Sequence, residues 1–107
     1  MKHLKIYILI LDDVDLGHAM LACAHGALSC YLRTKHSYPL KWRDYLDLSF
    51  RKVVCKVTKE QLDKAVETEQ PFVFVTESGL DNRVTAAVFV PMSDPPKLFR
   101  SFPLYKA

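Results

Sequence analysis

Hydrophobic positions along the chain follow two different periods. Four segments are apolar at nearly every position or at every second one, which is typical of β-strands: residues 4–11, 52–58, 72–76 and 84–90. Three segments repeat their apolar positions with the period of a helix: residues 17–33, 39–48 and 59–69. A proline-containing tail follows, in which residues 97–102 predict one further helical turn.

The order of these segments, β-α-α-β-α-β-β, predicts an α/β fold in a single domain. Strands joined through helices run parallel, so we expect right-handed crossovers to place the first three strands in one mixed sheet. Ligands of such folds bind at the carboxyl ends of the parallel strands. Those ends carry Asp12 and Asp13, Thr58, and Glu77, and the first of them leads directly into the longest helix.

The longest helix, residues 17–33, combines a broad apolar arc with a narrow polar stripe. We expect the arc to be buried, and its members are Met20, Leu21, Ala24, Ala27, Leu28, Tyr31 and Leu32, extended by Ala19, Cys23 and Cys30. His18, His25 and Ser29 lie within roughly 40° of one another around the axis. Small residues beside them, Ala22 and Gly26, permit close approach to the helix. The stripe is therefore either a site with proton chemistry or the solvated face of a core helix.

Composition and charge restrict the class of protein. A chain of 107 residues that is 50% hydrophobic and 25% charged is typical of one folded domain. The net charge of +3 comes without a long basic block, so it permits nucleic-acid binding without indicating it. No apolar run is long enough to span a bilayer, and the N-terminus has no signal-peptide pattern. We therefore expect a cytoplasmic protein that does not contact membranes.

The three cysteines predict neither a disulfide framework nor a metal centre. Cys23, Cys30 and Cys55 are odd in number and form no CxxC pair, so we expect reduced, buried thiols. Cys23 and Cys30 point about 100° or more away from the histidine stripe, which argues against a Cys–His nucleophile pair. His18 and His25 are separated by about 10 Å along the axis and cannot chelate one metal ion.

After thiol and metal sites are set aside, the remaining catalytic hypothesis is a general-base site. It consists of His25, His18 and a carboxylate such as Glu77, with water as the nucleophile. Each residue also has a structural alternative. His18 is a helix-capping candidate, His25 a hydrogen-bonded surface residue, and Glu77 an exposed turn residue.

The long helix resembles the signature helix of the type II peptidyl-tRNA hydrolases, the archaeal and eukaryotic kind. Residues 17–31, GHAMLACAHGALSCY, are similar to the family pattern GKxAAQCxHAxxSxY. Four further similarities follow in the family's order: Trp42 after the helix, KVVCKV at 52–57, Glu77-Ser78-Gly79 in place of a DAG turn, and TAAVFVP at 85–91 in place of TVLxIxP. The resemblance covers roughly residues 4–104.

This resemblance implies a fold, an activity and a set of roles. The fold is a three-layer sandwich with a mixed four-stranded sheet between helices. The activity is hydrolysis of the ester between a peptide and tRNA, without metal or cofactor, so the implied partner is peptidyl-tRNA or another RNA. A second copy of the chain, in a homodimer, is a further partner to test. His25 positions or deprotonates water, Glu77 orients it, and His18 takes the cationic role. The expected substrate-binding residues are Gly17, Ser29 and Thr85.

The chain departs from the family pattern at the site itself. His18 replaces the family lysine, Ala22 its glutamine and Glu77 its aspartate, and the turn between Glu77 and Thr85 is about four residues shorter. Two alternatives follow. One is a non-catalytic member of the same fold that binds RNA, a protein or a small metabolite. The other is an unrelated hydrolase that acts on a small ester or amide through His25 and Glu77.

Overall fold

The computed structural model describes residues 3–107, and four strands form the centre of the molecule. They are β1 (Lys5–Leu11), β2 (Arg51–Val57), β3 (Phe72–Glu77) and β4 (Arg83–Phe89). The helices are α1 (Leu16–Thr34), α2 (Pro39–Asp44), α3 (Lys59–Val66) and α4 (Lys97–Arg100). All the predicted elements are present, and their ends lie within a few residues of the expected positions.

The strands form one mixed sheet in the order β2-β1-β4-β3, and helices pack against it. β1 pairs parallel with β2, while β4 runs antiparallel to both β1 and β3. β1, β2 and β3 therefore point in the same direction, as predicted. Their carboxyl ends, at Leu11, Val57 and Glu77, lie at one end of the sheet.

α1 packs on β3 and β4 through its small residues. A Cβ atom added to Gly26 would lie 2.5 Å from Cγ2 of Val88 and 2.9 Å from Cγ2 of Val75, so the helix backbone comes close to both strands. Ala19, Ala22 and Cys30 lie on the same side of α1 and are buried. Close packing of helix against sheet therefore depends on residues without bulky side chains.

The predicted buried arc of α1 is confirmed only in part. Ala19 and Cys30 are buried, and Cys23, Ala27 and Tyr31 pack against the core, but the larger aliphatic residues of the arc are exposed. Met20 is 66% exposed and Leu28 is 60% exposed, and Leu21 and Leu32 also face away from the core. The reason is that α1 is apolar around most of its circumference, so the size of the side chains rather than their polarity selects the face that meets the sheet. We call the exposed apolar side the outer face of α1; it comprises Leu16, Met20, Leu21, Ala24, Leu28 and Leu32.

The opposite face of the sheet is closed by aromatic residues. Phe99 of α4 packs edge-on against Tyr7 of β1 at 5.4 Å and against Phe89 of β4 at 4.8 Å between ring centroids. Phe72 of β3 continues this cluster. Tyr7 and Phe89 point away from α1 because side chains alternate along each strand. A core therefore lies on each side of the sheet.

The connection between α1 and β2 ends in an unusual helical turn. α2 continues into a π-helical turn, Tyr45–Ser49, and Phe50 closes it with a left-handed backbone (φ 61°). Trp42 lies buried between Tyr31 of α1 and Tyr45, edge-on to both rings. Within residues 3–107, no helix is long and apolar enough to cross a membrane.

Candidate active site

His25 and Glu77 line the same cleft. The cleft has a volume of about 530 Å³ and lies between α1 and the edge strand β3. We call it the His25 cleft, and its lining residues are His25, Leu28, Ser29, Leu32, Arg33, Phe74, Val75, Thr76, Glu77, Ser78 and Asn82. An imidazole, a carboxylate, a hydroxyl and a guanidinium thus share one solvent-accessible space at the carboxyl end of a strand, where α/β folds bind ligands.

The period of β3 explains how Glu77 reaches this cleft. Val75 contacts Gly26 of α1, and Glu77 is two residues further along, so its side chain points to the same face. One carboxylate oxygen, Oε1, accepts a hydrogen bond from the backbone N–H of Gly79 at 3.1 Å. That bond holds the carboxylate against the turn and leaves its second oxygen available to a ligand or to water.

His25 is exposed and forms no side-chain hydrogen bond within the described part of the chain. It lies one helical turn before Ser29, and both line the cleft. Because no protein group occupies its ring nitrogens, the imidazole has the access that a general base needs to a bound water.

His18 lies against Asp15 and the turn at Gly79. Its Nδ1 is 2.6 Å from Oδ1 of Asp15, the N-cap residue of α1, and a hydrogen bond from His18 is the main reason that the pKa of Asp15 is lowered. A Cβ on Gly79 would lie 3.8 Å from Nε2 of His18 and 3.4 Å from Oε1 of Glu77. His18 and Glu77 therefore meet at Gly79, although His18 does not line the His25 cleft.

The expected substrate-binding residues have different positions. Ser29 lines the cleft beside His25, and Gly17 is exposed in the first turn of α1. Thr85 is only 1% exposed, and its hydroxyl donates to the carbonyl of Val75 at 3.4 Å. A direct substrate contact by Thr85 is therefore corrected to a structural role. The physical reason is that β4 lies inside the sheet, between β1 and β3, and residues 85–89 are all buried. Thr85 also lies at a register shift, between the pairs Val75–Ala86 and Thr76–Val84.

Sequence reasoning missed Asn82 and Phe74 as lining residues. Asn82 closes the shortened turn with a left-handed backbone (φ 58°), and its N–H donates to the carbonyl of Glu77 at 2.9 Å. The Asp81-Asn82 pair carried a usable signal, because these residue types tolerate the left-handed conformation that a tight turn requires. For Phe74, 45% exposed on an edge strand, the apolar sequence carried no comparable signal.

The cysteines are free and belong to the packed interior, as predicted. Burial raises the pKa of the Cys30 and Cys55 thiols to about 11, and it also raises the pKa of the half-buried Cys23. Cys30 donates weakly to the carbonyl of Val88 at 3.6 Å. Thiols held in the protonated form are poor nucleophiles, which argues against thiol catalysis at neutral pH.

A second cleft lies at the same end of the sheet, on the side of α3. It has a volume of about 470 Å³, and we call it the Asp12 cleft; its lining residues are Leu11, Asp12, Asp13, Lys59, Leu62, Asp63, Phe74, Arg83 and Val84. Arg83 pairs with Asp13, and Lys59 pairs with Asp63. The carboxylate of Asp12 has no ion-pair partner among residues 3–107, so the rim of this cleft carries an excess negative charge.

Neither cleft is a ready-made metal centre, since no three His, Cys, Asp or Glu side chains of the described residues come together as a ligand group. Searches against protein-family models and against curated protein sequences find no match for this chain.

Proposed function

We propose that this protein hydrolyses the ester that joins a peptide to the 3′ end of a tRNA. The observation that supports the proposal most strongly is that His25 and Glu77, far apart in the sequence, line one cleft beside Ser29 and Arg33. The resemblance of α1 to the signature helix of type II peptidyl-tRNA hydrolases supplies the substrate class. We include in the proposal the family's three-layer sandwich, which is supported by the packing of α1 and Phe99 on opposite faces of the sheet.

The proposed reaction uses water as the nucleophile. His25 accepts a proton from a water molecule as its oxygen attacks the ester carbonyl, and Glu77 holds that water through its free carboxylate oxygen. The carbonyl oxygen becomes a transient oxyanion. When the carbon–oxygen bond to the ribose breaks, the proton on His25 passes to the departing 3′ oxygen, and the peptide leaves as a carboxylic acid. Protonated His18 contributes positive charge on the other side of Glu77, towards phosphate or the oxyanion.

The distribution of basic residues gives tRNA a direction of approach. Arg33 lines the His25 cleft, and Lys35, Lys41 and Arg43 follow it from the end of α1 through α2. Contacts of these side chains with phosphates would release counterions, so tRNA binding should weaken steeply with salt. A small-molecule hydrolase with the same His25 and Glu77 would be indifferent to tRNA.

The test is release of peptide from peptidyl-tRNA by the purified protein and by its His25→Asn variant. Imidazole groups ordinarily lose a proton at about pH 6.5, so the assay spans about pH 5.5 to about pH 8.5. We expect turnover that depends on pH, because the proposed mechanism needs a neutral His25 together with a protonated His18, and a loss of at least about 100-fold in the variant.

The matched control is His36→Asn, because His36 is exposed beyond the end of α1 and outside the cleft. It should retain full turnover. The proposal is wrong if the folded wild-type protein releases no peptide under conditions in which an active family enzyme does, or if His25→Asn is as active as His36→Asn.

A non-catalytic, protein-binding member of the same fold is the second candidate, favoured by the outer face of α1. Within this face, Leu21, Ala24 and Leu28 follow one another at spacings of three and four residues, which is the spacing of helix–helix packing. Acidic residues precede α1 and basic residues end it. An antiparallel second copy would therefore place Asp15 of one chain near Lys35 of the other and bury both apolar faces.

This candidate is tested by the oligomeric state in sedimentation equilibrium. Leu21→Glu would put a charge in the centre of the outer face, whereas Leu46→Glu alters a leucine of matching exposure elsewhere (44% against 45%). A dimer that only Leu21→Glu dissociates would support the second copy as the partner. A wild-type protein that is monomeric at all concentrations would exclude the second copy as the partner.

A further inference from the structure

The two edge strands of the sheet, β2 and β3, differ in whether another segment pairs with them. Beside β2, the C-terminal tail adds backbone pairing: the N–H of Lys56 donates to the carbonyl of Pro103 at 3.0 Å, and that of Tyr105 donates to the carbonyl of Val54 at 2.8 Å. β3 is the opposite edge, and no described segment pairs with its outer side. An uncovered edge strand is a template for an additional strand.

The hydrogen-bonding groups available on β3 follow from its register. The N–H of Val90 donates to the carbonyl of Pro71 at 2.9 Å, and the pairs Phe72–Phe89, Val73–Val88 and Phe74–Ala87 follow. Antiparallel pairs alternate between bonded and non-bonded positions. The N–H and C=O groups of Phe72 and Phe74 therefore point away from β4 and are open to a partner.

This edge lies between the two clefts. Phe74 lines both the His25 cleft on the α1 side and the Asp12 cleft on the α3 side. Successive side chains of an extended peptide point to opposite faces of a sheet. A peptide paired with β3 would thus place alternate side chains in the two clefts.

We propose that the outer edge of β3 binds the peptide part of the substrate as an added strand, an inference that rests on the proposed hydrolase function. The ester at the carboxyl end of the peptide lies in the His25 cleft, next to Glu77 at the end of β3. The rest of the peptide runs back towards Phe72, so its direction is parallel to that of β3. Main-chain bonds bind any sequence, and the clefts add side-chain preference.

Charge complementarity defines that preference. The Asp12 cleft has an apolar floor of Leu11, Leu62 and Val84, and Asp12 supplies an unpaired carboxylate at its rim. A lysine or arginine side chain of the peptide can lay its aliphatic stem on Phe74 and Val84, with its cation directed towards the negatively charged rim to which Asp12 belongs. A tRNA phosphate is repelled there, so the two parts of the substrate separate: RNA towards Arg33 and peptide along β3.

The test measures peptide binding separately from hydrolysis. The probe is a five-residue peptide, blocked at both ends and alternating valine with lysine, titrated into ¹⁵N-labelled protein. We expect shifts and slowed hydrogen exchange at the amides of Phe72 and Phe74. The analogous peptide with glutamate in place of lysine should bind at least fivefold more weakly. The Asp12→Asn variant should reduce this difference in affinity between the two peptides.

Two variants of Phe74 isolate the main-chain contact. Phe74→Ala removes the ring and keeps the outward N–H, whereas Phe74→Pro removes both, and proline is tolerated where an edge N–H faces solvent. We expect the proline variant to bind the lysine peptide at least tenfold more weakly than the alanine variant.

The outcomes separate this inference from the proposed function. Equal binding by the two variants, unaffected Phe72 and Phe74 amides, or protection of those amides by self-association without peptide would overturn the added strand, whether or not peptidyl-tRNA is hydrolysed. If the peptide protects the Phe72 and Phe74 amides from exchange but the protein has no hydrolase activity, the peptide-binding edge would be supported and the proposed hydrolase function would be wrong.

Discussion

At Gly26, α1 comes close to the sheet, and the missing side chain has a measurable consequence. In Gly26→Ala the new Cβ would overlap the methyl groups of Val88 and Val75. Alanine favours a helix by about 1 kcal/mol over glycine, but overpacking costs about 1 to 3 kcal/mol. We expect a net decrease in the free energy of unfolding, measured by urea denaturation.

The control for this prediction is Gly17→Ala. A Cβ at Gly17 would lie 3.4 Å from Oδ2 of the exposed Asp15, which has room to move. This variant should be as stable as the wild type or more so. If both alanine variants behave alike, contact with the sheet is not what requires glycine at residue 26.

At the scale of elements, the presence of α1 was predictable and its orientation was not. The long unbroken run and Asp15 as its N-cap identify the helix. Its two apolar sides differ mainly in side-chain size, and only the distance to Val75 and Val88 decides which one is buried. The strands were predictable because branched residues fill them, and their directions followed from the crossovers.

The candidate site was predictable to the same limited extent. The helical period places His25 and Ser29 on one side of α1, and the strand period places Glu77 on the face of β3 that α1 covers. All three line one cleft. The burial of Thr85 follows from the position of β4 between two other strands, and the strand order was not predicted. No residue type in β4 predicts the register shift beside Thr85. The bond from Gly79 to Glu77 likewise depends on the geometry of the shortened turn.

The C-terminal tail is the element whose removal has the clearest expected effect. A chain that ends at residue 102 lacks both backbone bonds that cover β2, from Lys56 to Pro103 and from Tyr105 to Val54. We expect a lower urea midpoint and aggregation that increases with protein concentration, measured by light scattering. Removal of residues 106 and 107 alone should change neither; similar aggregation of both truncated chains would contradict the covering role.

For the whole molecule, buried thiol and phenol groups predict a loss of stability at alkaline pH. The folded pKa of Cys30 and Cys55 is about 11, above the ordinary 9.0, and that of Tyr45 is about 12, above 10.0. The folded state therefore holds these protons more tightly than the unfolded state. Their contribution is complete below about pH 9 and is lost as the pH rises towards 11.

Each pKa unit corresponds to about 1.4 kcal/mol, so each buried thiol contributes on the order of 2 kcal/mol to this loss. Urea denaturation at about pH 8 and about pH 10.5 measures it. Cys30→Ala should have a lower free energy of unfolding than the wild type at about pH 8. Its free energy of unfolding should also decrease less than that of the wild type between about pH 8 and about pH 10.5. An equal decrease in both proteins would mean that Cys30 is not among the groups responsible.

The position of β1 in the middle of the sheet also affects how the chain folds. β1 precedes both neighbours in the sequence, and one of them, β4, begins only at Arg83. During synthesis an almost wholly apolar strand is therefore made before either neighbour and remains without its second partner until β4 has emerged. Contacts of such long sequence separation slow folding. We expect the local β3–β4 hairpin to form first and β1 to enter between β4 and β2 late, as the step that completes the sheet.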